Sequence, residues 1–338
     1  MEPTNPAPAN PGMHYLYHPA NDACPLAFQS SLPIPKPTTS PDEANRYAHC
    51  ILLLHGFSGS SAYFARNYRA LSERHWVVAP DLRGHGNSGR GRGGYHVARL
   101  AADVRDLLAF LRAAMPALES IVPVGCSIGA AVLWTYVELF GSSADDGIRG
   151  FVFVDQAPLQ DRSPALAGNG DDDDEWGPSR AHLGCYDEAT MRAAQREWTE
   201  DPAGAHAGLV RSCLGYRHIG PDDDDDADRR RRDEEFFTKI SERCDHVWLA
   251  RLLADHTRYD HREAIEMIEV PTLVLAGRKT GCFPLEGMEE TVRRVERRRP
   301  GLARMEVFEA GHWLFYEEPE RFNRVVGEFV DSCVSLVQ

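Results

Sequence analysis

Short apolar runs alternate with amphipathic segments along the first half of the chain. Three of the runs predict strands, at residues 49–54, 76–80 and 120–124. Helical spacing of apolar residues follows two of them, at residues 61–73 and 96–113. Strands that are apolar throughout and alternate with helices are typical of a mostly parallel sheet that helices cover on both faces. The pattern therefore predicts an α/β fold.

The same alternation returns near the end of the chain and also appears in weaker form near its beginning. Further strands are predicted at residues 148–154, 271–276 and 303–308, further helices at 130–140, 285–298 and 319–334, and an opening pair of strands at 14–17 and 26–30. Together these segments predict one large sheet whose strands come from both ends of the chain.

Residues 159–267 interrupt the alternation, because no strong strand pattern occurs there. Helical patterns appear at 188–198, 234–244 and 246–255, and two acidic runs lie at 171–175 and 222–226. Like charges adjacent in sequence repel each other and resist packing, so we expect the acidic runs to be solvated loops. We predict a helical lid over 159–267, a core formed by 13–158 and 268–338, and a disordered tail at 1–12.

Composition limits the partners of this chain of 338 residues, 43% of them hydrophobic. A net charge of −14 disfavours nucleic acids and anionic membranes, and no stretch approaches the ~20 apolar residues of a membrane helix. The eight cysteines contain no C-x-x-C pair, N-x-S/T sequons are absent, and the first residues lack the apolar core of a signal peptide. We therefore expect a reduced, cytoplasmic protein with a small-molecule substrate, of open oligomeric state.

A G-x-S-x-G pattern spans Gly125 to Gly129, between the strand predicted at 120–124 and the helix predicted at 130–140. A sharp turn from strand into helix raises the serine hydroxyl above the carboxyl edge of the sheet. Glycines fit there because the turn is strained and the helix lies close to the strand. The pattern predicts Ser127 as a nucleophile.

A serine hydroxyl reacts slowly at neutral pH unless a base lies within hydrogen-bond reach and an acid orients that base. His312 follows the last predicted strand, in Gly311-His312-Trp313. A loop leaving the carboxyl edge of the sheet can return over the serine turn. We predict His312 as the base. The alternative is that His312 is an ordinary surface histidine, one of the 14 histidines of the chain.

Four motifs occur in an order that resembles the α/β-hydrolase family: HGFSGS from His55, DLRGHGNSG from Asp81, GCSIG from Gly125, and the late GHW from Gly311. The resemblance covers 47–158 and 268–335. It implies an eight-stranded sheet, Ser127 as nucleophile, and His312 as general base. It also implies an oxyanion hole made by the backbone N–H groups of Phe57 and Ile128. The Asp81 motif is mainly structural in the family.

The triad acid departs from the commonest family pattern, because Thr280 stands where the aspartate after the seventh strand is expected. Asp155 follows the sixth strand, and some family members, including lipases and zearalenone-type lactonases, place the acid there. A carboxylate directly after an apolar strand is costly to leave unpaired, which favours a partner for Asp155. We predict Asp155 as the acid, with Glu286, or no acid at all, as the alternatives.

Several other residues carry weaker predictions. Trp248, Trp313 and Phe57 are candidates for lining an apolar acyl pocket, and Cys126 is expected to pack inside the fold. A cluster of histidines and aspartates in the lid lacks the spacing of a metal site, so no metal is predicted there; its members are Asp245, His246, His256, Asp260 and His261. No cofactor is required by the proposed chemistry.

Two classes of function remain open at this point. The first is a serine hydrolase that cleaves an uncharged carboxylic ester or lactone, with cofactor-free perhydrolase and C–C bond hydrolase chemistry available to the same triad. The second is a ligand-binding protein on a catalytically retired hydrolase scaffold, which the threonine at position 280 favours.

Overall fold

The computed structural model describes residues 6–34, 47–91, 93–142, 147–162, 184–215 and 227–335. Both acidic runs lie outside these residues, as do residues 1–5 of the predicted tail. In the described part of that tail, the backbone N–H of Ala7 donates to Asn87 Oδ1 at 2.7 Å.

An eight-stranded sheet forms the centre of the molecule. Its strands are β1 (His14–Pro19), β2 (Pro25–Ser30), β3 (His49–Leu54), β4 (Trp76–Pro80), β5 (Ser120–Cys126), β6 (Phe151–Val154), β7 (Thr272–Gly277) and β8 (Ala303–Phe308). They are arranged in the order β1-β2-β4-β3-β5-β6-β7-β8. β2 runs antiparallel to β1 and β4, and all other neighbours are parallel. The predicted eight-stranded, mostly parallel α/β fold is confirmed.

Helices cover the sheet. In chain order they are α1 (Tyr68–Ser72), α2 (Val97–Ala114), α3 (Ile128–Phe140), α4 (Glu188–Glu200), α5 (Pro202–Cys213), α6 (Ala227–Ser241), α7 (His246–His256), α8 (Arg262–Glu266), α9 (Leu285–Arg298), α10 (Leu314–Glu317) and α11 (Pro319–Ser335). Within the described ranges, none of the helices combines the length and apolar character needed to cross a membrane.

Buried residues form two large clusters, which alternate along the strands with the period of two that a strand imposes. In β3, Leu52 and Leu54 belong to one cluster, whereas Ile51 and Leu53 belong to the other. Both faces of this strand are buried, which explains why its sequence is apolar at every position.

The helix predicted at 61–73 is wrong as a single element. The structure has a 3-10 turn at Ser61–Phe64 and then the short α1. The Asp81 carboxylate accepts bonds from the Ser61 N–H at 2.8 Å and from the Ser61 hydroxyl at 2.6 Å. The Ser61 carbonyl accepts a bond from the Tyr68 hydroxyl. The backbone bonds of the segment are spaced three residues apart, as from the Ala65 N–H to the Ala62 carbonyl at 3.2 Å and from the Asn67 N–H to the Phe64 carbonyl at 2.8 Å, whereas an α-helix needs a spacing of four.

The described part of the segment between β6 and β7 contains helices α4 to α8 and is called the helical insertion below. Its helices α5 and α8 carry no strong pattern in the sequence. Side chains of the insertion join both clusters, because Trp198 and Leu252 lie in one and Cys213 and Phe237 in the other. The insertion is therefore packed on the core and shares its hydrophobic interior.

Candidate active site

Ser127 lies at the turn from β5 into α3 and is partly exposed. Its φ of 53° is in the left-handed region, where a residue with a side chain is strained by about 1–3 kcal/mol. Its N–H donates to the Val154 carbonyl at 2.9 Å, which holds the turn against β6. A Cβ on Gly125 would lie 2.6 Å from the Gly129 backbone, and one on Gly129 would lie 2.7 Å from the Leu54 carbonyl. The two glycines of the motif are thus required by close packing.

Asp155 occupies the equivalent position at the end of β6. Its φ is 48°, and its N–H donates to the Leu275 carbonyl at 2.8 Å. Because Cys126 is paired with Val154, the next residues, Ser127 and Asp155, leave neighbouring strands side by side. Neighbouring strands lie about 4.8 Å apart, so the two turns adjoin at one edge of the sheet.

The Asp155 carboxylate is completely buried and accepts three hydrogen bonds. The Gly277 N–H donates to Oδ1 at 2.8 Å, and the Thr280 hydroxyl donates to Oδ2 at 2.8 Å. The His312 Nδ1 lies 2.5 Å from the same Oδ2. Three donors offset the cost of burying this charge. Asp155 therefore has the partner that the sequence led us to expect.

His312 lies in the loop after β8 and is buried, with 5% of its surface exposed. Burial opposes its charge, but the charge of the Cys282 thiolate, the hydrogen bond to Asp155 and the carboxylate charge outweigh burial and raise the pKa of His312 to about 9. Since Asp155 accepts from Nδ1, Nε2 is the nitrogen left to exchange a proton with a reacting group. Glu286, the alternative acid, is exposed in the first turn of α9.

Glu317 fixes the loop that carries His312. Its carboxylate accepts the N–H of Gly311 at 2.9 Å and the N–H of Gly215, which follows α5, at 3.0 Å. Burial raises the pKa of this carboxyl. The backbones are so close that a Cβ on Gly215 would lie 2.5 Å from the Gly311 nitrogen. One half-buried side chain thus joins the helical insertion to the histidine loop.

The loop after β3 lies against Ser127, because a Cβ on Gly56 would be 3.2 Å from the Ser127 Cβ. His55 braces this loop. Its Nε2 accepts the Leu82 N–H at 2.9 Å, so its Nδ1 carries the proton and donates to the Gly56 carbonyl at 2.8 Å. Burial lowers the pKa of His55 to about 4, in keeping with a neutral ring.

Two backbone N–H groups near Ser127 take part in no hydrogen bond among the described residues. One belongs to Phe57, and the other belongs to Ile128, the first residue of α3. The first N–H groups of a helix have no partner within the helix and carry its partial positive charge. Both groups are therefore available to a negatively charged oxygen, while their role as an oxyanion hole stays a prediction.

The aromatic candidates for a pocket have separate surroundings. The Trp248 indole N–H donates to the Gly93 carbonyl at 3.3 Å, and Trp313 stacks on Phe237 with ring centroids 3.7 Å apart. Phe57 instead meets Trp198 of α4 edge to face at 5.3 Å. The pocket role of Trp248, Trp313 and Phe57 stays a prediction.

The other predicted residues have structural contacts. Cys126 is buried, and Asp81 accepts the N–H of Asn87 at 2.8 Å within its own motif. In the insertion, the Asp245 side chain caps α7, whereas His246 pairs with His206 at 3.4 Å. Of the remaining lid residues, His256 contacts Gln160, Asp260 pairs with Arg262, and His261 packs on Trp134.

Sequence reasoning missed three residues that shape this site: Thr280, Glu317 and His55. Thr280 attracted attention only because an aspartate was expected at its position, although its hydroxyl donates to the carboxylate of Asp155, the predicted acid. The isolated Glu317 carries no pattern, because its partners lie 6 and 102 residues away. His55 was visible as part of a motif, but its role follows from a bond to Leu82, 27 residues away.

Known proteins of similar sequence include a hydrolase-superfamily protein and an uncharacterized protein. AB hydrolase superfamily protein YisY of Bacillus subtilis is 23% identical over 83% of this chain and 91% of its own length. An uncharacterized protein of Mycobacterium tuberculosis is 37% identical over 95 residues, but the match spans only 28% of this chain and about a quarter (26%) of that relative's length.

Solved structures match nearly the whole chain. The esterase EaEST from Exiguobacterium antarcticum has a TM-score of 0.73 at 18% identity, covering 93% of this chain and 98% of that one. The enol-lactonase from Burkholderia xenovorans LB400 has a TM-score of 0.66 at 16% identity, covering 94% and 100%. The model of the Alpha/beta hydrolase family matches residues 51–325. The chain therefore belongs to the alpha/beta hydrolase family.

Proposed function

We propose that the protein is a serine hydrolase that cleaves a carboxylic ester or lactone of a small, apolar substrate. The observation that carries the proposal is the hydrogen bond of 2.5 Å between His312 and a buried carboxylate, beside a strained serine turn. A carboxylate on Nδ1 fixes the tautomer in which Nε2 can accept a proton. This is the arrangement that activates a serine hydroxyl.

In the proposed reaction, His312 Nε2 takes the proton of the Ser127 hydroxyl as the serine oxygen attacks the carbonyl carbon. The carbonyl oxygen becomes an oxyanion beside the N–H groups of Phe57 and Ile128, each worth about 3 kcal/mol of barrier. The imidazolium then gives its proton to the leaving alkoxide, and an acyl-enzyme remains. Water, deprotonated by the same imidazole, releases the acid and restores Ser127.

Asp155 stabilises the imidazolium during both proton transfers and stays ionised itself. The Gly277 N–H and the Thr280 hydroxyl hold the carboxylate in place, because each donates a hydrogen bond to it. The threonine at position 280 is therefore no longer an argument for a catalytically retired scaffold, because its hydroxyl assists Asp155, the proposed acid at the end of the neighbouring strand.

The preference for an uncharged, apolar substrate rests on an aromatic pair and on the net charge. Phe57 follows Gly56, on which an added Cβ would lie 3.2 Å from the Ser127 Cβ, and its ring meets that of Trp198 edge to face. Aromatic side chains favour apolar acyl or alcohol groups. A net charge of −14 disfavours anionic substrates, so we expect neutral esters and lactones to react faster than charged ones.

Labelling with a fluorophosphonate tests the proposal directly. The wild-type protein should react at Ser127, and Ser127→Ala should lose the label and reduce kcat on short nitrophenyl esters by about 10⁴–10⁶-fold. Ser332→Ala, which changes an exposed serine of α11, is the matched control and should behave as wild type. Turnover that survives in Ser127→Ala, or an inert wild-type protein, would refute the proposal.

A further inference from the structure

Two cysteines lie beside His312, although they are far apart in the sequence. Cys213 ends α5 of the insertion, and Cys282 lies in the loop between β7 and α9. Their Sγ atoms are 3.7 Å apart. Within the part of the chain that the structure describes, these two sulfurs and a ring nitrogen of His312 form a group in which all three atoms lie within 4.8 Å of one another.

Backbone hydrogen bonds hold both cysteines in place. The Trp313 N–H donates to the Cys213 carbonyl at 3.2 Å, which attaches the end of α5 to the histidine loop. The Gly281 N–H donates to the Ser212 carbonyl at 3.0 Å, which attaches the cysteine loop to the same end of α5. The three side chains thus converge on a fixed backbone frame.

Two thiolates and an imidazole form a soft ligand set, which suits zinc or cadmium rather than magnesium or calcium. Zinc–sulfur bonds of about 2.3 Å in a tetrahedron place the two sulfurs about 3.8 Å apart. The observed separation of 3.7 Å is close to that value. We propose that Cys213, Cys282 and His312 bind a soft divalent cation, Zn²⁺ or Cd²⁺, with the fourth position open.

This cation is an inhibitor rather than a cofactor. A metal on Nε2 occupies the nitrogen that would deprotonate Ser127, with Asp155 still bonded to Nδ1 as in carboxylate–histidine–zinc arrangements. A metal on Nδ1 displaces Asp155 and removes the acid from the imidazole. Metal binding at either nitrogen therefore leaves the protein without its general base. The inhibition rests on the proposed hydrolase function, whereas the binding itself does not.

Titration of the full-length protein with Cd²⁺, reduced with a phosphine, tests the binding without any substrate. We expect an ultraviolet thiolate-to-cadmium charge-transfer band that saturates at one equivalent. Cys282→Ser, in a partly exposed loop, and Cys213→Ser should each lose the band. Cys185→Ser, also partly exposed, is the matched control and should keep it. Thermal melts of each variant show whether the buried Cys213→Ser protein still folds.

Zn²⁺ should inhibit ester hydrolysis reversibly, with activity restored by EDTA. Loss of a metal ligand should cost at least the factor of about 10–100 that loss of an outer-sphere partner costs, so half-inhibition in Cys282→Ser should need more than about tenfold more Zn²⁺. Ser127→Ala should still give the cadmium band, which separates this site from the hydrolase proposal. A wild-type protein without the band, or a band that persists in both cysteine variants, would overturn the inference.

Discussion

The two halves of the site are held by different parts of the molecule. Ser127 and Asp155 sit in strained turns, and each is anchored by its own N–H to the carbonyl of the neighbouring strand. His312 sits in a loop that depends on the Glu317 carboxylate and on Gly215 of the insertion. The proposed nucleophile and acid are thus fixed by the sheet, whereas the position of the proposed base depends on contacts that the insertion shares. Substitutions of Ser127 or Asp155 should abolish catalysis, whereas substitutions of the residues that support His312 should lower kcat by a smaller factor.

Asp155→Asn, on the sheet side of this comparison, should have the largest effect among the remaining tests. An asparagine keeps the shape but loses the charge that stabilises the imidazolium, so we expect kcat to fall by about 10³–10⁴-fold. Steady-state hydrolysis of a nitrophenyl ester measures it. Glu286→Gln is the control and should match wild type; if it is the slower of the two, the acid has been assigned to the wrong residue.

Glu317→Gln tests the support of the base. Hydrogen bonds to a charged group are worth about 1.5–3 kcal/mol, and an amide retains part of that, so we expect kcat to fall about tenfold with little change in KM. A change in KM alone, with kcat intact, would mean that Glu317 shapes binding and does not position His312. Glu328→Gln, exposed on α11, is the matched control.

Thr280→Val should have a smaller effect, because it removes one of three donors to Asp155. A hydrogen bond to a charged group is worth about 1.5–3 kcal/mol, but the Gly277 N–H and the His312 ring still hold the carboxylate, so kcat should fall only about three- to tenfold. Thr280→Ser keeps a hydroxyl and should recover most of the rate. Equal rates in the valine and serine variants would show that the hydroxyl is irrelevant to the acid.

The pH dependence of kcat/KM depends on the charge of the His312 ring. A general base must be neutral to accept a proton, and the pKa of His312 is raised to about 9, so kcat/KM should increase from pH 6 to about pH 9. The Cys282 thiolate contributes to that shift, and Cys282→Ser should move the rising limb to lower pH. Profiles recorded in EDTA that coincide for the two proteins would exclude this electrostatic contribution.

The sheet and the turns that carry Ser127 and Asp155 could be predicted from the sequence because their signals are local. The apolar run at Phe151–Val154 followed by Asp155 places a carboxylate at a known edge, whatever the rest of the chain does. The insertion resisted prediction for the opposite reason. Helix α5 begins with Pro202 and contains Gly204 and Gly208, so its pattern is weak, and its contact with His312 arises only in three dimensions.

Three glycines from distant parts of the chain meet beneath His312. Gly277 ends β7, Gly311 precedes the histidine, and Gly215 follows α5; an added Cβ on Gly277 or Gly215 would collide with the backbone at Gly311. A protein engineer who replaces the helical insertion with that of another protein must therefore keep a glycine at position 215. Even a single methyl group there would push the histidine away from its carboxylate, however well the new segment fitted its intended ligand.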